Sequence, residues 1–272
     1  MSNHWRIIIS EPGNGPWNMA LDEAFLLSTA KEYQPPTLRF YTWEPYCLSI
    51  GHAQKVSEID VDSLYSLGWD IVRRPTGGRG ILHADELTYS ITAPENYTGI
   101  SGSIIDSYRM ISSGLIIGLK NIGIHANSKP KDVSKKYLSK DPICFQYPSD
   151  YEITFEGKKL IGSAQARRHK GILQHGAIPL HGDITRIISV LKFNTNDAKF
   201  EAKQLLQQRA TSIEMALGVI IQKETLINKM IDGFEEALNI KLVVGKISMQ
   251  EFNSAKDLLE NKYNNPEWTY RI

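Results

Sequence analysis

Short alternating or continuous apolar runs dominate the first two thirds of the chain, and helical spacing dominates the last third. "HWRIIIS", "TLRFYTW", "CLSIGH", "WDIVRRP" and "ELTYSITAP" read as strands, rich in β-branched and aromatic residues and bounded by turn formers. Between them, "NGPWNMALDEAFLLSTAKE" puts Trp17, Ala20, Leu21, Ala24 and Phe25 on one helical face, with Pro16 suited to the first turn. "EIDVDSLYSLG" predicts a helix closed by Gly68, and "SIIDSYRMISSGLIIGLKNIG" a longer one. "YEITFEGKKLIGSAQARRHKGILQHGAIPL" breaks into three strand-like runs, an antiparallel meander with turns expected at Gly157 and Gly171. After Asp183 the texture changes. "DITRIISVLK", "NDAKFEAKQLLQQRA", "TSIEMALG" and "KETLINKMIDGFEEALN" are helical in pattern, "IKLVV" is a short strand, and "SMQEFNSAKDLLENKY" is a final helix.

This pattern predicts an α+β fold, with a mixed, mostly antiparallel β-sheet flanked by helices. No repeat, low-complexity tract or Gly/Ser linker divides the chain. The expectation is a single domain over residues 1–272, with a sheet-rich core at 1–182 carrying the site and a mainly helical portion at 183–272 packed on it.

With 272 residues, 31 basic and 30 acidic side chains give a net charge of +1. That balance supplies no global field for drawing in nucleic acid or an anionic membrane. The apolar run at the start is interrupted by Ser10-Glu11-Pro12, so no signal peptide is expected there. No apolar stretch is long enough to predict a spanning helix. The 2 cysteines, Cys47 and Cys144, make neither a disulfide framework nor a zinc site, so a cytoplasmic chain with reduced thiols is expected.

Three segments hold the candidate chemistry. In "RRPTGGRGILHADELTYSI", a strand ends at Arg73-Arg74, Pro75-Thr76 turns the chain, and Gly77-Gly78 free the backbone N–H groups to meet a ligand. Arg79 and His83 follow. The loop suits a carbonyl, carboxylate or phosphate; the plainer reading is a tight hairpin with solvated arginines. No lysine-Ser/Thr pair follows the glycines, so it is not a P-loop. In "GKKLIGSAQARRHKGILQHGAIPL", Lys159 stands three residues before Gly162-Ser163-Ala164. Small residues in a strand admit a close neighbour, such as a slender aliphatic chain, and Lys159 would then reach its polar end. Alternatively, Lys159 is a surface hairpin lysine and the small run packs a helix. His175 and Gly176 lie in the returning strand, where a histidine is more often structural than catalytic. In "DPICFQYPSDYE", Cys144 sits in a loop between turn formers. A thiol there reacts if it is exposed and close to positive charge, and Lys159 is near in sequence. The plain alternative is an incidental thiol, which is the reading for Cys47 in its apolar strand.

Taken together and in this order, the segments resemble the lipoate/octanoate protein ligase and transferase superfamily, and within it the LipM-type octanoyltransferases. "RRPTGGRGILHADELTYSI" is similar to its glycine-rich acyl-binding segment, "GKKLIGSAQARRHKGILQHG" to its lysine segment, and "PICFQYPSDYEI" to the loop of the transferase nucleophile. "NMALDEA", "LRFYTWEPYCLSIGHAQ" and "KYNNPEWTYR" extend the likeness over nearly the whole chain. The resemblance implies a catalytic domain like that of biotin and lipoate protein ligases. It implies Cys144 as acyl-accepting nucleophile with Lys159 as polar partner. It places Arg73, Arg74, Gly77, Gly78, Arg79 and His83 at the acyl site's polar end, and Gly162, Ser163 and Ala164 along its floor. Relatives often carry Asp directly after the histidine matching His83; here Ala84 stands there and Asp85 comes one place later.

The implied reaction starts from octanoyl acyl carrier protein. Cys144 takes the acyl group as a thioester, and a lysine of an apo lipoyl domain, such as glycine cleavage H protein, then receives it as an amide. Neither nucleotide nor metal is implied. ATP and Mg would enter only in the first rival, a lipoate–protein ligase, whose accessory domain can be a separate chain. A second rival moves octanoyl between lipoyl domains, and a third only docks carriers. Lys129, Lys131, Lys135, Lys136 and Lys140 form either a docking patch for an acidic carrier or a solvated loop.

Overall fold

The computed structural model describes residues 3–130 and 151–272. Cys144 and the loop lysines Lys131, Lys135, Lys136 and Lys140 lie outside them. The chain order is β1 (His4–Ile9), α1 (Gly15–Ala30), β2 (Thr37–Tyr41), β3 (Cys47–Ile50), α2 (Val61–Ser66), β4 (Asp70–Arg73), β5 (Ile81–His83), β6 (Glu86–Pro94) and α3 (Ile104–Lys120). It continues with β7 (Asn127–Pro130), β8 (Tyr151–Phe155), β9 (Lys158–Arg168), β10 (Gly171–Pro179), α4 (Asn196–Arg209), α5 (Ile213–Leu217), α6 (Lys223–Leu238), β11 (Lys241–Val244), α7 (Met249–Leu258) and α8 (Pro266–Thr269).

An 8-stranded sheet runs β11-β1-β2-β6-β10-β9-β8-β7, and a 3-stranded one runs β4-β3-β5. β1 is parallel to both β11 and β2. From β2 outward to β7 every pairing is antiparallel. The fold is thus α+β with a mostly antiparallel sheet and helices on its faces.

Each face of the large sheet buries a different apolar cluster. One contains Leu38, Leu87, Tyr89, Ile91, Ile172 and Ile178 with Ile111 and Leu115 of α3 and Met230 and Phe234 of α6. The two helices meet closely because glycines line the seam: a Cβ on Gly114 would fall 2.4 Å from the Phe234 ring, and one on Gly118 2.6 Å from Met230 Sδ. The other cluster joins Met19, Leu21 and Phe25 of α1 to Ile8, Tyr41 and Trp43, with Ala255 and Tyr263 behind. α1 is capped by Asn14, whose side chain accepts from the Trp17 N–H. Its buried residues go beyond one apolar face and include Asn18, Asp22 and Thr29.

The C-terminal portion does more than lie on the sheet. β11 extends it at the β1 edge, and α7 is tied to β1 by a buried ion pair in which Arg6 Nη1 donates to Glu251 at 2.8 Å.

Several elements differ from the sequence reading. The β8–β9 turn does fall at Glu156-Gly157, both at positive φ. The β9–β10 turn falls at His169-Lys170, with φ of 55° and 63°. Gly171 is already in β10, and is glycine because a Cβ there would come 2.7 Å from Leu26 and 2.9 Å from Ala30 of α1. "DITRIISVLK" gives only a 3₁₀ turn at Arg186–Val190, and α7 runs on into a π-helical turn at Leu259–Tyr263. β5, β7 and α8 lack a sequence signal of their own. No helix among the described residues is long and apolar enough to cross a membrane.

Candidate functional site

Under α1, the pairing of β2, β6 and β10 aligns Arg39, Ser90 and His175, each buried. α1 lowers Asp22 onto this row. Its carboxylate accepts from Arg39 Nη1 (2.9 Å), the Tyr41 hydroxyl (2.8 Å), the Ser90 hydroxyl (2.8 Å) and His175 Nδ1 (3.0 Å). Burial alone would raise the Asp22 pKa, but the His175 hydrogen bond and the Arg39 charge outweigh it and hold it below the usual range. A carboxylate only accepts, so the ring proton of His175 sits on Nδ1. Its Nε2 then receives the Thr76 hydroxyl at 2.7 Å, which fastens the start of the glycine-rich loop to the sheet.

A second buried network centres on His83 at the end of β5. Its ring stacks on Trp43 with centroids 3.9 Å apart. His83 Nε2 lies 2.8 Å from the Ser49 hydroxyl and Nδ1 3.2 Å from Glu86. Thr88 donates to the same Glu86 oxygen at 2.6 Å and accepts from Trp43 Nε1 at 2.8 Å. Burial, helped by the charge of Arg74, lowers the His83 pKa despite the opposing Glu86. The imidazole is therefore neutral at pH 7.

A small apolar cavity lies between the two networks. Met19, Ile81, Ala164, Gly176 and Ala177 give it apolar walls; Ser49, Arg74, His83 and His175 form its polar side. Ile81 and Ala177 also wall a second cavity, which runs toward Ile184, Ile187 and Leu206. An open groove of about 960 Å³ leads from Trp43 and His83 past Glu86 and Leu180 to the stretch at Ile220.

The expected site residues divide among several places. Arg74 lines the cavity and clamps the loop, donating from Nη1 to the Ser49 carbonyl (2.8 Å) and from Nη2 to the carbonyls of Gly77 (2.7 Å) and Arg79 (2.8 Å). Gly77 and Gly78 are exposed on the loop, with Gly78 at φ +94°. A Cβ on Gly51 would fall 1.9 Å from the Gly78 carbonyl oxygen, so the loop lies directly on the residue that follows β3. Arg79 is part-exposed and pairs with Glu58 at 3.4 Å. Arg73 does not line the cavity. It is fully buried, and its guanidinium donates to the carbonyls of Gly51, Gln54 and Thr269 at 2.8, 2.7 and 3.0 Å, anchoring the chain's end. Burial lowers its pKa to about 10.

In β9, Ala164 lines the cavity and Gly162 pairs with the wall residue Ala177. Ser163 is not on the floor. Neighbouring strand residues face opposite ways, and its hydroxyl meets the Tyr89 hydroxyl at 2.7 Å on the other side of the sheet. His175 and Gly176 both line the cavity. Lys159 is 4% exposed rather than a surface lysine, and its ammonium is paired with the Glu152 carboxylate. Its backbone carbonyl accepts from Thr211 N–H, beside the second cavity. Cys47 is fully buried and burial pushes its thiol pKa well up, as for an inert core cysteine. Asp85 is held by the Tyr46 hydroxyl (2.8 Å) and an ion pair with Arg186. Asp22, Ser49 and Glu86 escaped the sequence reading; Asp22 lay within "NMALDEA", but its partners are distant in the chain. No cluster of metal-ligating residues exists among the described residues.

The apolar cavity is bounded on one side by the His83 imidazole and the Arg74 guanidinium. Fold and site together define a catalytic domain that handles acyl groups. The chain belongs to the lipoyl protein ligase A/B catalytic domain family, which residues 14–235 match. Within it the chain is of the LipM type. It is 39% identical over 271 residues to octanoyltransferase LipM of Kyrpidia tusciae, with 98% of each chain covered. It is 40% identical over 269 residues to that of Clostridioides difficile, again covering 98% of each. Among solved structures, a putative lipoate protein ligase of Thermoplasma acidophilum with bound lipoic acid superposes with a TM-score of 0.81 at 25% identity, covering 100% of both chains. A lipoate-protein ligase A bound with ATP gives 0.79 at 25%, covering 99% of each.

Proposed function

We propose that this chain is a cytoplasmic protein octanoyltransferase of lipoate synthesis. It is an acyltransferase that takes octanoyl from acyl carrier protein and delivers it to the lysine of an apo lipoyl domain, such as glycine cleavage H protein. The reading is carried by the apolar cavity beside His83 and Arg74, found in a chain that matches octanoyltransferases LipM over 98% of its length.

Cys144 attacks the carrier thioester, the carrier thiol leaves, and the octanoyl group rests on the enzyme as a second thioester. That exchange is close to energy balance. The acceptor amine then displaces the Cys144 sulfur and an amide forms, which runs downhill. Lys159 favours the Cys144 thiolate and donates to the developing oxyanion. A buried ammonium held by Glu152 suits this role, since its position is fixed before the acyl group arrives. No nucleotide or metal takes part. The cavity selects chain length by burial, at about 0.8 kcal/mol per CH₂.

An ATP-dependent ligase is the second reading, favoured by the similarity to the ligase bound with ATP. Octanoyl carrier protein and apo lipoyl domain are incubated with the chain after ATP depletion and chelation of divalent metal. Octanoyl-lysine on the acceptor is the expected product. A strict need for ATP supports the ligase instead, and transfer only from an octanoylated lipoyl domain identifies an amidotransferase.

A further inference from the structure

We propose that Glu86 receives the amine of the acceptor lysine and takes the proton that its nitrogen must lose before attack. Glu86 opens β6 and is 6% exposed. One carboxylate oxygen is engaged by the Thr88 hydroxyl at 2.6 Å and by His83 Nδ1 at 3.2 Å. The other, Oε2, is buried and has no hydrogen-bond partner among the described residues. A buried carboxylate oxygen without a donor is unfavourable, and such orphans concentrate where a ligand supplies the missing group.

The position fits an entering lysine. Glu86 lines the open groove, and its partner His83 lines both the groove and the acyl cavity, as does Trp43. A side chain entering along the groove comes against Glu86 beside the His83 that groove and cavity share. Other nearby acids are already committed or remote. Asp85 is paired with Arg186, Asp22 accepts four donors, and Glu224 is an exposed residue of the groove lining.

The proton balance closes. The lysine arrives as an ammonium, since its pKa is near 10.4. One proton moves from nitrogen to the Glu86 carboxylate. The freed lone pair attacks the octanoyl thioester carbon, the C–N bond forms and the C–S bond breaks. The nitrogen's second surplus proton goes to the departing sulfur. Glu86 returns its proton to solvent through the groove.

This assignment rests on the lysine of a lipoyl domain being the acceptor, so its test uses two nucleophiles. Octanoyl carrier protein is supplied with either apo lipoyl domain or hydroxylamine, an amine that is uncharged at neutral pH. For Glu86→Gln, the ratio of lysine transfer to hydroxylamine transfer is expected to fall on the order of 100-fold. Glu86→Asp, which keeps a carboxylate, is expected to retain more of that ratio. An unchanged ratio in Glu86→Gln, or equal ratios in the two variants, overturns the assignment and leaves Glu86 a support for His83. Failure of the unaltered chain to octanoylate the lipoyl domain overturns the transferase reading itself.

Discussion

Asp22 of α1 and His175 of β10, 153 residues apart, share a buried hydrogen bond of 3.0 Å. The bond fixes the imidazole tautomer, and the imidazole in turn holds Thr76. One carboxylate thereby links the helix, three strands and the glycine-rich loop.

Removal of that carboxylate is expected to be costly. Asp22→Ala leaves the Arg39 guanidinium buried without its counter-charge and His175 Nδ1 without its acceptor, and should lower the unfolding free energy by about 3–5 kcal/mol. Because the folded pKa of Asp22 is depressed, its contribution is present above the unfolded value of about 3.9 and is lost as pH falls through the folded one. Urea unfolding of both proteins should therefore show the gap closing below about pH 4.

His83 shows linkage of the same sign, in a higher pH window. Its folded pKa lies below the unfolded value of about 6.5, so the unfolded chain binds the proton more readily. Stability should fall as pH drops below about 6.5 and level off beneath the folded pKa. His83→Gln should flatten part of that slope in urea midpoints taken between pH 8 and pH 5. His52, whose pKa is lowered mainly by burial, keeps a remainder. An identical slope in the variant would show that His83 titrates normally.

Ala164 lines the acyl cavity, and Ala164→Leu should shorten it. Each methylene denied burial is worth about 0.8 kcal/mol, or roughly fourfold in selectivity. In competition between hexanoyl and octanoyl carrier protein, the preference should move at least fourfold toward hexanoyl. An unmoved preference would place the chain in the neighbouring cavity behind Ile81.

The two adjacent arginines should separate. Arg74→Lys loses the fork that holds three carbonyls around the loop, where hydrogen bonds from a charged donor are worth roughly 1.5–3 kcal/mol. It should lower kcat/KM for octanoyl transfer at least tenfold. Arg73→Lys should lower Tm with a smaller kinetic effect, because Arg73 holds Gly51, Gln54 and the chain's end. Steady-state kinetics alongside thermal melts compare the two.

Much of this architecture was legible in the sequence. The spacing of α1, α3 and α6 and the alternation of β8 to β10 reflect local periodicity, which a single segment displays. β5 was hidden because its three residues follow directly on the glycine loop. β7, which contains Lys129 and Pro130, lacks the apolar alternation of a strand. The site was legible where glycine and arginine mark a loop, and illegible where function depends on pairing. Asp22 sits on a helix read as having one buried face, and its partners lie on β2, β6 and β10. Glu86 looks like an ordinary strand start until β5 brings His83 against it. The Gly162-Ser163-Ala164 run suggested one surface, but the pleat sends Ser163 to Tyr89.

The thioester on Cys144 is tested most directly by intact mass. The chain is mixed with octanoyl carrier protein without ATP, weighed, and weighed again after apo lipoyl domain is added. One octanoyl increment should appear, map to Cys144, be absent from Cys144→Ser, and move to the acceptor lysine. An increment that forms only with ATP, or undiminished transfer by Cys144→Ser, would contradict it.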